Sequence, residues 1–132
     1  MVNSDLCALC GEGIESVDHL FTACNISMSV WNRLSGWIKI PPIFAFSFKD
    51  LLEVHKWFDG NKSAKKIVRG LIMVTCWAIW KARNDKFFSK GRGDSNVIFG
   101  DVRSMGFLWL KCRSKNNNIG WRDWCSFPLY MM

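Results

Sequence analysis

The sequence has no hydrophobic run long enough to cross a membrane. Its longest largely apolar stretch, residues 71–80, lies between Arg69 and Lys81, whereas a membrane-spanning helix needs roughly 20 apolar residues. The first five residues also lack the basic start and apolar run of a secretory signal. We therefore expect an intracellular protein, nuclear or cytoplasmic, that does not bind membranes and keeps its six cysteines reduced.

Catalytic signatures are missing as well. Two-metal phosphoryl transfer needs several carboxylates at one site, yet residues 61–132 contain only four, and no two aspartates are adjacent anywhere in the chain. No glycine-rich loop ending in Lys-Ser or Lys-Thr is present to bind a nucleotide phosphate. The sequence therefore predicts a protein without catalytic activity of its own.

What is abundant is apolar and aromatic side chains. Hydrophobic residues make up 49% of the 132 residues, with eight Trp and ten Phe, so the chain can form a hydrophobic core. Apolar residues recur at three- and four-residue steps and show no strand-type alternation, which predicts an all-α fold. We expect a small helical domain over residues 1–115, whose N-terminal segment is rich in cysteine, followed by an aromatic tail over 116–132.

Capping residues and apolar periods predict four helices. They are expected after Ser27, after Ser47, from about Ser63 to about Phe88, and over a stripe from Ile98 to Cys112. The tail contains Trp121, Trp124 and Phe127 without a clear period, so no helix is predicted there.

Two further expectations concern side chains on these helices. Cys76 and Cys112 fall on apolar stripes and are interpreted as core residues. Trp31 and Trp37 are expected to form an exposed apolar patch, because they lie closest to the start of the chain. The alternative is that both tryptophans pack onto the long helix.

Three cysteines and a histidine lie close together near the start of the sequence: Cys7, Cys10, His19 and Cys24. The first two are three residues apart and can bind one tetrahedral ion from a tight turn, which Gly11 allows by letting the backbone reverse. Three thiolates and an imidazole would occupy every position of Zn²⁺, so the predicted site is structural rather than catalytic. The alternative is buried thiols and a surface histidine.

The segment between the second and fourth ligands has signals of its own. Ser16 and Asp18 are suited to starting a short helix that carries His19. Cys24 follows five residues later, about 140° around an ideal helix. It is therefore expected at or beyond the end of that helix rather than beside the histidine on one face.

These residues resemble a known family. The similar segments are Cys7-Ala8-Leu9-Cys10-Gly11, then 15–21 (ESVDHLF), Cys24, Val30-Trp31, 77–85 (WAIWKARND), 107–109 (FLW) and 121–124 (WRDW). Together they resemble the reverse-transcriptase zinc-binding domain of plant LINE-type (non-LTR) retrotransposon polyproteins. The resemblance implies zinc ligands at Cys7, Cys10, His19 and Cys24, and a role in handling nucleic acid beside a polymerase. The polymerase and the helices usual before the first cysteine are absent, so we expect a fragment.

Charge is distributed unevenly along the chain. Residues 1–60 carry a net charge of −3 and residues 61–132 a net charge of +10. A basic half attracts polyanions, and nucleic acid is the commonest inside cells, although a solvated helix face is the alternative. The expected phosphate-binding residues are Lys62, Lys65, Lys66, Arg69, Lys81, Arg83, Lys86, Lys90 and Arg92.

Three functions remain open at this point. The first is a zinc-stabilised module that binds RNA or DNA without sequence preference. The second is a helical fragment that docks on a partner protein or on the missing upstream segment. The third is a retroelement remnant without a selected function. Phosphate contacts weaken steeply with salt and apolar docking does not, so salt dependence separates the first two.

Overall fold

The computed structural model describes residues 6–43, 45–88, 93–113, 119–126 and 128. Over these ranges the fold is all-α, as predicted. Outside the helices, Leu6 and Ile14 form an isolated antiparallel β-bridge. A π-helical turn precedes five α-helices: the turn is His19–Ala23, and the helices are α1 (Asn25–Ile38), α2 (Phe48–Trp57), α3 (Lys62–Phe87), α4 (Ser95–Arg113) and α5 (Trp121–Ser126). None of these helices is both long enough and apolar enough to cross a membrane.

Helices α3 and α4 form the central pair. The Asn61 side chain caps α3 by accepting a hydrogen bond from the Ala64 amide at 2.8 Å. Glycine lets the two helices approach closely, because a Cβ at Gly70 would lie 2.1 Å from the Trp109 ring. Two predicted helices are confirmed, with bounds shifted by a few residues. They are the long helix from about Ser63 to about Phe88 and the helix predicted from the stripe between Ile98 and Cys112.

Helix α1 begins earlier than its sequence suggested. Cys24, rather than Ser27, is the residue before the first turn. The Ser27 side chain is buried instead and donates a hydrogen bond to the Leu20 carbonyl at 2.6 Å. The prediction of Ser27 as the cap is therefore wrong: its hydroxyl joins α1 to the π-helical turn.

Helix α2 begins as predicted. The Ser47 hydroxyl accepts a hydrogen bond from the Asp50 amide at 3.3 Å. The amide of Phe48, the first residue of α2, donates a hydrogen bond to the Asp18 carboxylate at 2.9 Å. The Phe48 ring also packs on Phe21, with centroids 4.9 Å apart. The N-terminal segment and α2 are thus joined by both a polar and an apolar contact.

The expectation that Trp31 and Trp37 are exposed is wrong. They are only 3% and 8% exposed, and each indole N–H reaches a carbonyl, that of Phe21 at 2.7 Å and that of Trp124 at 2.9 Å. Trp37 packs against Trp124 of α5, a helix that the sequence did not predict. Ile119 and Trp124 belong to the same core as the other helices. The predicted domain boundary after residue 115 lies outside the described residues.

The two cysteines expected in the core differ. Cys76 is buried inside α3, and burial raises the pKa of its thiol to about 12, so the group stays protonated. Cys112 is exposed on α4, so its interpretation as a core residue is wrong. Leu110 is buried, and it is the last buried residue among the α4 side chains that the structure describes.

Candidate metal centre and basic helix face

Four ligand atoms meet at the start of the fold. The side chains of Cys7, Cys10, His19 and Cys24 each supply one such atom, and all four atoms lie within 4.8 Å of one another. Cys7 and Cys24 are buried, while Cys10 and His19 are partly exposed. The predicted ligand set is therefore brought together in space, and a Cys₃His cluster of this kind could bind a metal ion.

The first two ligands lie on a tight turn built by backbone hydrogen bonds. The Gly11 amide donates to the Cys7 carbonyl at 2.8 Å, and the Cys7 amide donates to the Gly13 carbonyl at 2.9 Å. Both glycines have positive φ, +74° and +69°, a backbone conformation that favours glycine. A Cβ at Gly13 would also lie 2.9 Å from the His19 ring. The turn thus leaves space for the third ligand.

The last two ligands are set by the π-helical turn. The Ser16 hydroxyl accepts a hydrogen bond from the His19 amide at 3.0 Å, as expected of a residue that starts this turn. The Cys24 amide then bonds to the His19 carbonyl, five residues back, at 2.7 Å. This wider turn brings residues five apart closer to one face than an α-helix does. Cys24 follows the end of the turn, as predicted, but faces the same ion site as His19.

The pKa values of the Cys10 and Cys24 thiols are shifted in opposite directions. Burial works to raise the pKa of Cys10, but hydrogen bonds with His19 and with the Glu12 backbone outweigh it and lower the pKa to about 7. Burial raises the pKa of Cys24 to about 11 despite nearby backbone amides of α1. Three thiolates therefore do not form together without a cation, and metal binding must release protons.

The cluster matches the requirements of zinc. A tetrahedral ion with Zn–S bonds of about 2.3 Å holds its sulfur ligands roughly 3.8 Å apart. The Cys10 Sγ and His19 Nε2 atoms are 3.5 Å apart, and the whole set spans at most 4.8 Å. Only small adjustments would thus give four bonds of normal length. Zinc prefers sulfur and nitrogen donors of this kind, whereas calcium and magnesium take oxygen.

A carboxylate between the ligands joins the cluster to the long helix. Glu15 accepts a hydrogen bond from the Ala8 amide, inside the first turn, at 2.6 Å. Its other oxygen pairs with the guanidinium of Arg83 on α3, whose Nε lies 2.9 Å away. Lys86, one turn further along α3, donates to the Leu9 carbonyl at 2.5 Å. Sequence reasoning assigned no function to Glu15, because its partner is 68 residues away.

The residues expected to bind phosphate divide into four groups. Lys62, Lys66 and Arg69 are exposed on the first two turns of α3, with Lys65 partly exposed beside them. Lys81 is exposed and paired with Asp85 at 3.2 Å and Asp101 at 4.0 Å. Arg83 and Lys86 are occupied by the N-terminal segment, as described above. Lys90 and Arg92 lie outside the described residues.

The chain matches no protein-family model, no characterised protein and no solved structure. The resemblance to the reverse-transcriptase zinc-binding domain therefore stays a prediction.

Proposed function

We propose that the Cys₃His cluster binds one structural Zn²⁺. The convergence of four sulfur and nitrogen ligands within 4.8 Å supports this. Because the protein would fill all four positions, no position remains for a substrate or a reactive water. The ion would hold the turn at Cys7 and the π-helical turn together. Glu15 and Lys86 would then attach the loaded segment to α3.

Metal analysis of the purified protein tests this proposal. We expect one equivalent of zinc, and Cys10→Ser or His19→Ala should lower both metal content and thermal stability. Structural zinc contributes on the order of 10 kcal/mol in small zinc modules. Cys112→Ser removes an exposed thiol outside the cluster and is the matched control. A metal-free protein whose thermal midpoint is unchanged by chelator would rule the proposal out.

We further propose that the protein is a nucleic-acid-binding module without catalytic activity. The observation that carries this is the exposed basic face at the start of α3, formed by Lys62, Lys66 and Arg69. Side chains three and four residues apart on a helix are neighbours, so these charges reinforce one another toward a polyanion. The resemblance noted in the sequence adds a further proposal, descent from a retrotransposon reverse transcriptase.

Salt dependence of binding tests the nucleic-acid proposal. If six phosphates are neutralised, log K should fall against log salt with a slope of about −4 to −5. Changing Lys62, Lys65 and Lys66 together to Glu should weaken binding and flatten that slope by about 2 to 3. The matched control changes Arg33 and Lys49, exposed cations of the acidic half, to Glu. Binding that ignores salt, or that the control weakens equally, would contradict the proposal.

A protein-docking role is the second candidate. It is favoured by the exposure of Phe46 and Trp57, at 85% and 84%, and of Leu52 between them on α2. Large apolar side chains exposed at a surface can mark an interface. Trp57→Ala should release a partner bound through these residues, and salt should have little effect on that partner's affinity. Nucleic-acid binding should instead weaken with salt and be unchanged by Trp57→Ala.

A further inference from the structure

One stripe of α3 stays exposed along most of the helix. Its members recur at three- and four-residue steps: Lys62, Lys66, Arg69, Met73, Trp77 and Trp80. The first half of the stripe is cationic and the second half is apolar, with Trp77 exposed to 46%. Single exposed apolar residues are ordinary, but a contiguous set indicates a binding surface.

The apolar half of the stripe borders a groove between α3 and α4. The groove has a volume of about 1010 Å³ and is lined by Met73 and Trp77 on one side and by Met105 and Leu108 on the other. Lys66 and Arg69 also line it. Among the described residues, the groove therefore combines apolar walls, an exposed indole and positive charge without an acidic side chain.

Trp80, the second tryptophan on this stripe, is held in place by its contact with Arg83. The Arg83 guanidinium lies 5.4 Å from the centre of the Trp80 ring, and the pair with Glu15 fixes that guanidinium in turn. Trp80 is thus restrained before any ligand arrives, which reduces the entropy lost on binding. Aromatic rings on a positively charged surface are the usual means of binding unpaired bases.

Building on the proposed nucleic-acid function, we propose that this surface binds single-stranded nucleic acid. Unpaired bases stack on Trp77 within the groove, while Lys66 and Arg69 bind the adjoining phosphates. A duplex hides the faces of its bases in its own stack, so it can use the charges but not the indole. A single strand uses both halves of the stripe, which is why it binds more tightly.

The test compares a labelled single strand of about 15 nucleotides, within the site sizes of single-strand binders, with the same sequence as a duplex. We expect the single strand to bind more tightly. Trp77→Leu keeps apolar volume but removes the stacking face, and should lower single-strand affinity about five- to a hundredfold without changing the salt slope. Trp77→Phe keeps a ring and should retain most of the affinity. Trp57→Ala, a more exposed tryptophan outside the groove, should have no effect.

The outcomes separate this inference from the proposal beneath it. If the duplex binds as tightly as the single strand and Trp77→Leu changes neither, charge alone holds the nucleic acid: the strand preference is then wrong and the basic face stands. If neither ligand binds, both proposals are wrong, and a groove that binds an acidic amphipathic helix becomes the explanation. Helix content and thermal midpoint of each variant show whether a loss of affinity reflects misfolding. If Trp77→Leu misfolds, the affinities of the unaltered protein for the single strand and for the duplex decide between the two explanations.

Discussion

At the scale of single residues, Glu15 explains how the metal centre is attached to the rest of the molecule. One of its oxygens accepts the Ala8 amide inside the first cysteine turn, and the other meets Arg83 of α3. Hydrogen bonds from neighbouring residues to the turn that carries the ligands orient the ligands of a metal site. The position of Cys7 and Cys10 relative to α3 is thus set partly by this carboxylate, which is not one of the four ligands, alongside the Lys86–Leu9 hydrogen bond.

Glu15→Gln should therefore lower stability in a pH-dependent way. Burial opposes ionisation of Glu15, but hydrogen bonds from Arg83 and from the Ala8 amide outweigh it and hold its pKa below 4.5. Because the folded-state pKa is lowered, the stabilisation is fully present above pH 4.5 and is lost as the pH falls through the folded-state pKa. We expect the variant to be less stable by about 1 kcal/mol at pH 7.

Thermal midpoints of both proteins across pH 3 to 8 check this expectation. The difference should shrink on acidification. Because metal loss would itself release Glu15 from Arg83, the metal content measured at each pH separates that effect from titration of Glu15. Glu12→Gln is the control, since the exposed Glu12 carboxylate accepts a hydrogen bond from the Asn25 side chain of α1 at 3.2 Å rather than from α3. A difference that is constant across this range would show that charge on Glu15 contributes nothing.

At the scale of elements, α3 and α4 depend on glycine at their closest approach. Replacing Gly70 by Ala improves helix propensity by about 1 kcal/mol, but the new Cβ would lie 2.1 Å from the Trp109 ring. A rigid indole cannot yield without moving the helix, and overpacking of this kind typically costs about 1 to 3 kcal/mol. We expect Gly70→Ala to be destabilising.

Gly36→Ala is the matched control for Gly70→Ala. It also lies in a helix, α1, but is exposed, and nothing lies within 4 Å of the added Cβ. It should raise stability by a few tenths to about 1 kcal/mol. Chemical denaturation of both variants measures whether each substitution raises or lowers the free energy of unfolding. Equal stabilisation by both substitutions would mean that α3 and α4 are not in close contact at Gly70.

The elements also show what a sequence can and cannot predict here. The long apolar period of α3 and the Ser47 cap are local signals, and both predictions are confirmed. Helix α5 has six residues, too few to show a period, and without it the burial of Trp37 could not be anticipated. The four ligands were predicted from spacing because they are close in sequence. The Glu15–Arg83 pair was missed because tertiary packing alone creates it.

At the scale of the whole molecule, the N-terminal segment and the helices share one core. Leu9 and Leu20 of the segment are buried in the same cluster as Trp124 of α5. Yet the segment consists of short turns, and two of its glycines have positive φ. If zinc binds as proposed, it supplies much of the free energy that keeps residues 6–24 folded.

Chelation should therefore loosen residues 6–24 before it unfolds α3 and α4. Hydrogen exchange in the presence of a chelator should show lost protection in this segment, while far-UV circular dichroism retains most of the helical signal. Nucleic-acid binding should survive, because Lys62, Lys66 and Arg69 lie on α3, outside the segment. Release of Arg83 and Lys86 from Glu15 and Leu9 would even add up to two cations to the surface, so the salt slope should stay the same or steepen by up to about 2. A chelated protein that keeps its helices but no longer binds nucleic acid would instead place the binding surface on the zinc segment itself.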